Sequence, residues 1–226
     1  MRKILFLCAF MMASWMELNA QEAAKSLSGD KYLKELKGTY VELFSQETCL
    51  NPKFENLWKS ETLKYVESAK VDSVIAFFQS RCQGDKVGEE AVAFNKCNGG
   101  MQFCCAFLQG VKRFEMKGHH ISGHAADGKL LFSHDYHFVE QDSNGNYIFE
   151  SNDDNQDEFR YFWFMPDSPK STYHIEFRYG SDKNQLSQMM EGKYAFWMAA
   201  GVREGHEEEW RNGIILFVDE RLKEHK

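Results

Sequence analysis

The 226-residue sequence predicts an α+β domain, an antiparallel β-barrel with helices before and after it. Three observations carry this expectation. Apolar and polar residues alternate in short segments through the middle of the chain, as in the series Phe132, His134, Tyr136 and Phe138. Turn signals, Asn98-Gly99-Gly100 and Asn144-Gly145, stand between such segments. On either side, apolar residues recur at helical spacing instead. Six or more strands without a long crossover favour an up-and-down barrel, which removes its exposed edges by closing.

The chain opens on Met1-Arg2-Lys3, runs through an apolar stretch from Ile4 to Met12, and reaches Leu18-Asn19-Ala20 before Gln21. A charged start, a short apolar run and a small-residue site form the pattern of a cleaved signal peptide. The run is shorter than the roughly 20 residues that span a bilayer, and Cys8 lies too early to carry a lipid anchor. Residues 1–20 are therefore expected to be removed, leaving 21–226 as one domain in the periplasm. Without Arg2, Lys3 and Glu17 the formal net charge of −7 becomes −8. An acidic chain with no basic cluster does not suit nucleic acid, whose phosphates need grouped Lys and Arg. The expected product is a monomer with no stable membrane insertion.

Residues 28–46 carry Leu33, Leu36, Tyr40, Leu43 and Phe44 at helical spacing, and Asn51-Pro52 ends that helix. A second helix is expected over 54–82, with Val71, Val74, Ile75 and Phe78 on one face and Gly84 after its end. Strands are expected over 87–97, 101–117, 129–141, 146–151, 159–165 and 172–180. The strand at 159–165 places Tyr161 and Trp163 on one face and Phe162 and Phe164 on the other, so it reads as buried on both sides. Asn144-Gly145 reads as a type I′ hairpin turn, and 152–158 as an acidic exposed loop. Asp182 then caps a short helix containing Leu186, Met189 and Met190. A last strand over 194–202 and a terminal helix over 206–223 complete the order.

Five cysteines follow the leader: Cys49, Cys82, Cys97, Cys104 and Cys105. An odd number leaves at least one thiol unpaired. Neighbours such as Cys104 and Cys105 point to opposite sides of an extended chain and do not bridge each other. No C-x-x-C spacing is present, and connectivity among the five does not follow from their order.

No nucleophile elbow, phosphate loop or H-E-x-x-H occurs, which points to a binding protein with no substrate turnover. The histidines are the main chemical feature. His119, His120, His124, His134 and His137 crowd into one stretch, and His174 follows. Imidazole is the commonest protein ligand for zinc. Consecutive His119 and His120 face opposite ways if extended, and His134, between apolar neighbours, reads as a core histidine with a hydrogen-bond partner. His174 and Glu176, two apart on a strand, share a face together with Arg178.

Tyr147 to Asp153, Arg160 to Asp167 and Ser171 to Asp182 resemble the ZinT (YodA) family of periplasmic zinc- and cadmium-binding proteins. Tyr32 to Tyr40 is similar to that family's opening helix, and weaker likeness covers about 30–200. The resemblance implies a lipocalin-like (calycin) barrel joined to a helical part, with a divalent metal held near the barrel mouth by three histidines. Carried over, those positions fall on Asp167, His174 and Glu176, so one histidine survives. Ser151 stands where the family has a disulfide cysteine. Zinc accepts carboxylate oxygens, although carboxylates shift preference toward harder cations. His124, between Gly123 and the Ala125 to Gly128 loop, is the expected fourth ligand. The implied role is zinc, and by extension cadmium, capture or delivery to a transporter. The alternative is a calycin-like barrel that has lost its metal and binds a small apolar or amphipathic molecule.

The leader carries a direct prediction. Mass spectrometry of protein secreted by an expressing bacterium should find Gln21 at the N-terminus, and intact residues 1–20 would contradict it.

Overall fold

The computed structural model describes residues 28–100, 102–165 and 174–223. Eight strands, β1 (Lys37–Glu42), β2 (Arg113–Lys117), β3 (His120–His124), β4 (Leu130–Gln141), β5 (Tyr147–Ser151), β6 (Tyr161–Met165), β7 (His174–Gly180) and β8 (Ala199–Arg203), form a closed barrel in sequence order. Every pairing is antiparallel, and the barrel closes where Tyr40, Val41 and Glu42 meet Arg203, Val202 and Gly201. The expected α+β barrel is the observed fold.

The helices come mainly from one excursion. A helix at 28–35, α1, precedes the barrel. Between β1 and β2 the chain leaves the barrel and forms α2 (Glu55–Thr62), α3 (Val71–Cys82) and α4 (Glu89–Asn98). After β7 come a single turn, α5 (Lys183–Leu186), and the terminal α6 (Glu207–Lys223), which packs on α2. The Asp182 carboxylate accepts the Asn184 backbone N–H at 2.9 Å and caps α5 as expected, but the helix ends at Leu186, and Met189 and Met190 lie beyond it.

Several boundaries differ from the periodicity. The helix expected over 28–46 ends at 35, because Gly38 has φ +128° and its neighbours Thr39 and Val41 favour an extended chain. The helix expected over 54–82 is two. Tyr65 and Val66 both donate to the Thr62 carbonyl and turn the chain back. The fold-back brings Trp58 of α2 and Phe78 of α3 onto the same Phe217 ring of α6, at 6.0 and 5.8 Å. The strand expected over 87–97 is α4. Glu89 and Glu90 sit at its positive end, Lys96 at its negative end, and Gly99 closes it in the left-handed conformation. Asn98-Gly99-Gly100 is thus a helix cap, not a hairpin. Of 101–117, the strand is Arg113–Lys117, and β3 has no counterpart in the expected elements. The Asn144-Gly145 hairpin is real, but its three-residue loop puts positive φ at Gly145 alone (89°), so it is not type I′.

The barrel interior is solid. Phe114, Phe149, Phe162, Phe164 and Phe177 have no exposed surface, and Phe114 meets Phe177 edge-to-face at 5.1 Å. Eight strands enclose a space that side chains can just fill, and here rings fill it. A second apolar cluster lies outside the barrel, where Val41, Ala200 and Val202 face Phe54, Trp58, Phe78, Ile214 and Val218 of the helical part. Strand β6 lies between layers, with Phe162 and Phe164 inward and Trp163 outward at 2 % exposure.

Removing an interior ring should be costly. Phe162→Ala is expected to lower stability by about 3–5 kcal/mol in urea unfolding. Phe77→Ala, at a ring 57 % exposed on α3, should change it by no more than about 0.5 kcal/mol.

Candidate functional site on the outer barrel wall

Strand β7 alternates between two environments. Ile175, Phe177 and Tyr179 enter the aromatic interior, so His174, Glu176 and Arg178 point outward. Arg178 is fully buried there. Its guanidinium donates to the carbonyls of Leu186, Gln188 (3.1 Å) and Tyr194 and lies 6.0 Å from the Trp197 ring. Burial lowers it to about 10, still far above neutral pH, so a buried cation ties the 186–194 segment to the wall. Strand parity puts Arg178 on this face, as expected, and there the residue anchors a covering segment.

Next to that anchored segment lies a cavity of about 410 Å³, between the outer wall of β6, β7 and β8 and the helices α3 and α6. His174 and Glu176 line it from β7, Met165 from β6, Cys82 from the end of α3, and Cys105 from the segment that leads to β2. The His174 Nε2 and Glu176 Oε1 atoms are 3.9 Å apart. Both residues stand at one end of the barrel, His174 as the first residue of β7 and Glu176 opposite Met165 at the end of β6, and both side chains face the helical part.

Of the expected ligands, His174 and Glu176 are brought together. Asp167 lies outside the described residues. His124 is not brought to them. It sits on β3, away from β7 around the barrel in either direction, and it points outward, since Ile121 of the same strand fills the interior. Its Nε2 is 3.4 Å from Ser122 Oγ. The remaining histidines of that stretch have separate partners. His119 meets the Tyr136 carbonyl, His120 meets Asp135 and Ser133, and His137 meets Asn152. His134 Nδ1 lies 2.6 Å from Asp153, in keeping with a histidine whose hydrogen bonding is met. Among the described residues, no group of three or more His, Cys, Asp or Glu side chains is arranged to hold a metal ion.

Two thiols at this cavity carry no signal in the sequence. Cys82 and Cys105 act on each other: their mutual interaction holds Cys82 below the ordinary thiol value and, together with burial, pushes Cys105 well above it. Cys104 turns away into the barrel-side cluster, as expected for adjacent residues of an extended chain. Cys49 donates to the Trp210 carbonyl, and burial raises it to about 12. Spacing does not reveal the pair because residues 82 and 105 meet through the turn of the chain around α4.

No family model matches the chain, and no curated protein matches it. Among solved structures, it aligns with the zinc-bound ZinT-like domain of AdcA from Streptococcus pneumoniae. The TM-score is 0.50 at 11 % identity, over 82 % of this chain and 89 % of that domain. The fold is ZinT-like. Zinc-bound AdcA from the same organism aligns at a TM-score of 0.48 and 12 % identity, over 81 % of this chain and 35 % of that one. This chain therefore spans about a third of AdcA. In the ZinT-like fold described here, the outer wall of β7 and the helical part meet, and that junction is where His174 and Glu176 stand.

The Met189-bearing segment over the cavity is also held by Glu158. Burial pushes its carboxyl up, but hydrogen bonds from Lys193, Tyr194 and Ser181 outweigh this and hold it below its ordinary 4.5. A depressed value means the contribution to stability is complete above that range and is lost as pH falls through the folded value. Wild-type protein should therefore lose stability below about pH 4.5, and Glu158→Gln should be less stable at neutral pH but show a flatter acid limb. Equal acid limbs in urea titrations would remove Glu158 from this role.

Proposed function

We propose that the chain binds a divalent metal ion, zinc in the first place, as cargo in the cavity between β7 and the helical part. The observation that carries this reading is the shared outward face of His174 and Glu176, which points one imidazole and one carboxylate into one cavity. Both are zinc ligands. Asp167, nine residues before Glu176 in sequence, is proposed as a third. The fold supports the same reading, because the aligned ZinT-like domain is zinc-bound. A site with two carboxylates is harder than one with three histidines, so manganese or calcium compete better here, and cadmium less well, than in an all-imidazole site. With none of those catalytic motifs in the sequence, the role is capture or hand-over to a transporter in the periplasm, without turnover.

The test is calorimetric titration of untagged, metal-stripped protein with zinc. One equivalent should bind. His174→Ala should weaken it by roughly a hundredfold, about 2.7 kcal/mol, and His124→Ala should leave it unchanged. No stoichiometric uptake by the wild type would end this reading. The apolar rings on the same cavity, Phe44, Phe78, Phe103 and Phe217, would then favour a small amphipathic molecule.

A further inference from the structure

We infer that Cys82 and Cys105 are a reversible dithiol–disulfide pair that cross-links the end of α3 to the 103–105 segment in the cavity wall. Three observations lead there. First, the two backbones run antiparallel side by side: Gly84 N–H donates to the Phe103 carbonyl at 2.9 Å, Cys105 N–H to the Cys82 carbonyl at 3.3 Å, and Gln83 faces Cys104 as a bridge pair. Facing residues of antiparallel chains have Cα atoms about 4.5–5.5 Å apart, inside the range that a disulfide spans. Second, a further backbone bond, Phe103 N–H to the Arg81 carbonyl at 2.7 Å, ties the same two stretches together. Third, both line a cavity of about 410 Å³, and Cys82 is partly exposed while Cys105 is buried, so a small reagent has a route to the pair. Cys104 is no competitor, because it faces the barrel-side cluster. Cys97 is exposed on α4, and Cys49 is buried beside Trp210.

The oxidant is a low-molecular-weight disulfide of the glutathione class. The Cys82 sulfur attacks one sulfur of the reagent, its proton is lost to solvent, and one thiolate leaves. Cys105 then attacks the Cys82 sulfur, loses its proton, and expels the second thiolate. Two protein thiols and one reagent disulfide become one protein disulfide and two reagent thiols, the two lost protons balancing the two thiolates. The cross-link closes a loop that contains α4 and restricts the unfolded chain. It also changes what the cavity contains. The dithiol presents two soft sulfur donors beside the thioethers of Met165 and Met198, and the disulfide withdraws both donors. The cross-link needs no metal, so it stands or falls apart from the zinc reading.

Two measurements on the full chain test this. After incubation with oxidised glutathione, alkylation and peptide mapping should show Cys82 joined to Cys105, with Cys104 still alkylated and the thermal midpoint several degrees higher. Dithiothreitol should reverse both changes. Phenylarsine oxide, which bridges two neighbouring thiols, should bind the reduced wild type at one equivalent. Cys82→Ser, Cys105→Ser and the oxidised protein should lose that uptake, whereas Cys97→Ser should keep it. Full alkylation of both cysteines after oxidant, a Cys82–Cys104 linkage, or arsenical uptake that survives Cys82→Ser would each overturn the pair.

Discussion

A closed barrel of eight strands encloses a space that large side chains soon exhaust, and in this molecule phenylalanine and tyrosine rings exhaust it. Everything else in the architecture follows from that filled interior. Inward positions are committed to packing, so a polar or metal-ligating residue on a strand can serve a site only if it points outward. An outward site on a bare wall would be open to water, and the helical excursion between β1 and β2 supplies the second side. The cavity exists because the two layers do not meet fully where β7 passes under α3 and α6.

The covering layer is held by polar contacts as well as by apolar ones. Arg178 gives up water for backbone carbonyls of the 186–194 segment, and Glu158 gathers Lys193, Tyr194 and Ser181. A buried guanidinium that has satisfied carbonyls around it specifies one arrangement of a loop more strictly than apolar contact does, because a shifted loop leaves the charge unpaired. The two residues next to Arg178 in the outward row, Glu176 and His174, gain a fixed surround as a result.

Strands β4 to β7 were legible in the sequence because the chain alternates there with little interruption, and parity alone paired His174 with Glu176. The parts that were not legible fail for identifiable reasons. In 28–46, Leu33, Leu36 and Tyr40 keep a helical spacing across Gly38, where the backbone cannot be helical, so a strand was hidden in a helical pattern. In α4, Ala91, Val92 and Ala93 lack the bulk that makes a helical face visible, and the charge placement at its ends was the readable signal. Strand β3 is five residues with Gly123 inside, too short for a period. His124 was chosen for its local sequence, but its distance from β7 is a property of strand order around a closed ring. The Cys82–Cys105 contact and the helical side of the cavity come from segments far apart in the chain, and neither period nor spacing encodes them.

That cavity is assembled from residues scattered along the chain: 43–44, 78–82, 103–105, 165, 174–176, 189, 198–200 and 213–221. No one of these stretches forms it alone, so it is a property of the folded chain. Anything that occupies it binds the folded chain alone and raises the unfolding free energy by RT ln(1 + [L]/Kd), about 2.7 kcal/mol at a hundred times Kd. The melting temperature thus becomes a concentration-dependent readout of occupancy. A panel of metal salts and amphipathic molecules can be ranked on the unlabelled protein by how far each one shifts it, whichever of them turns out to be the natural occupant.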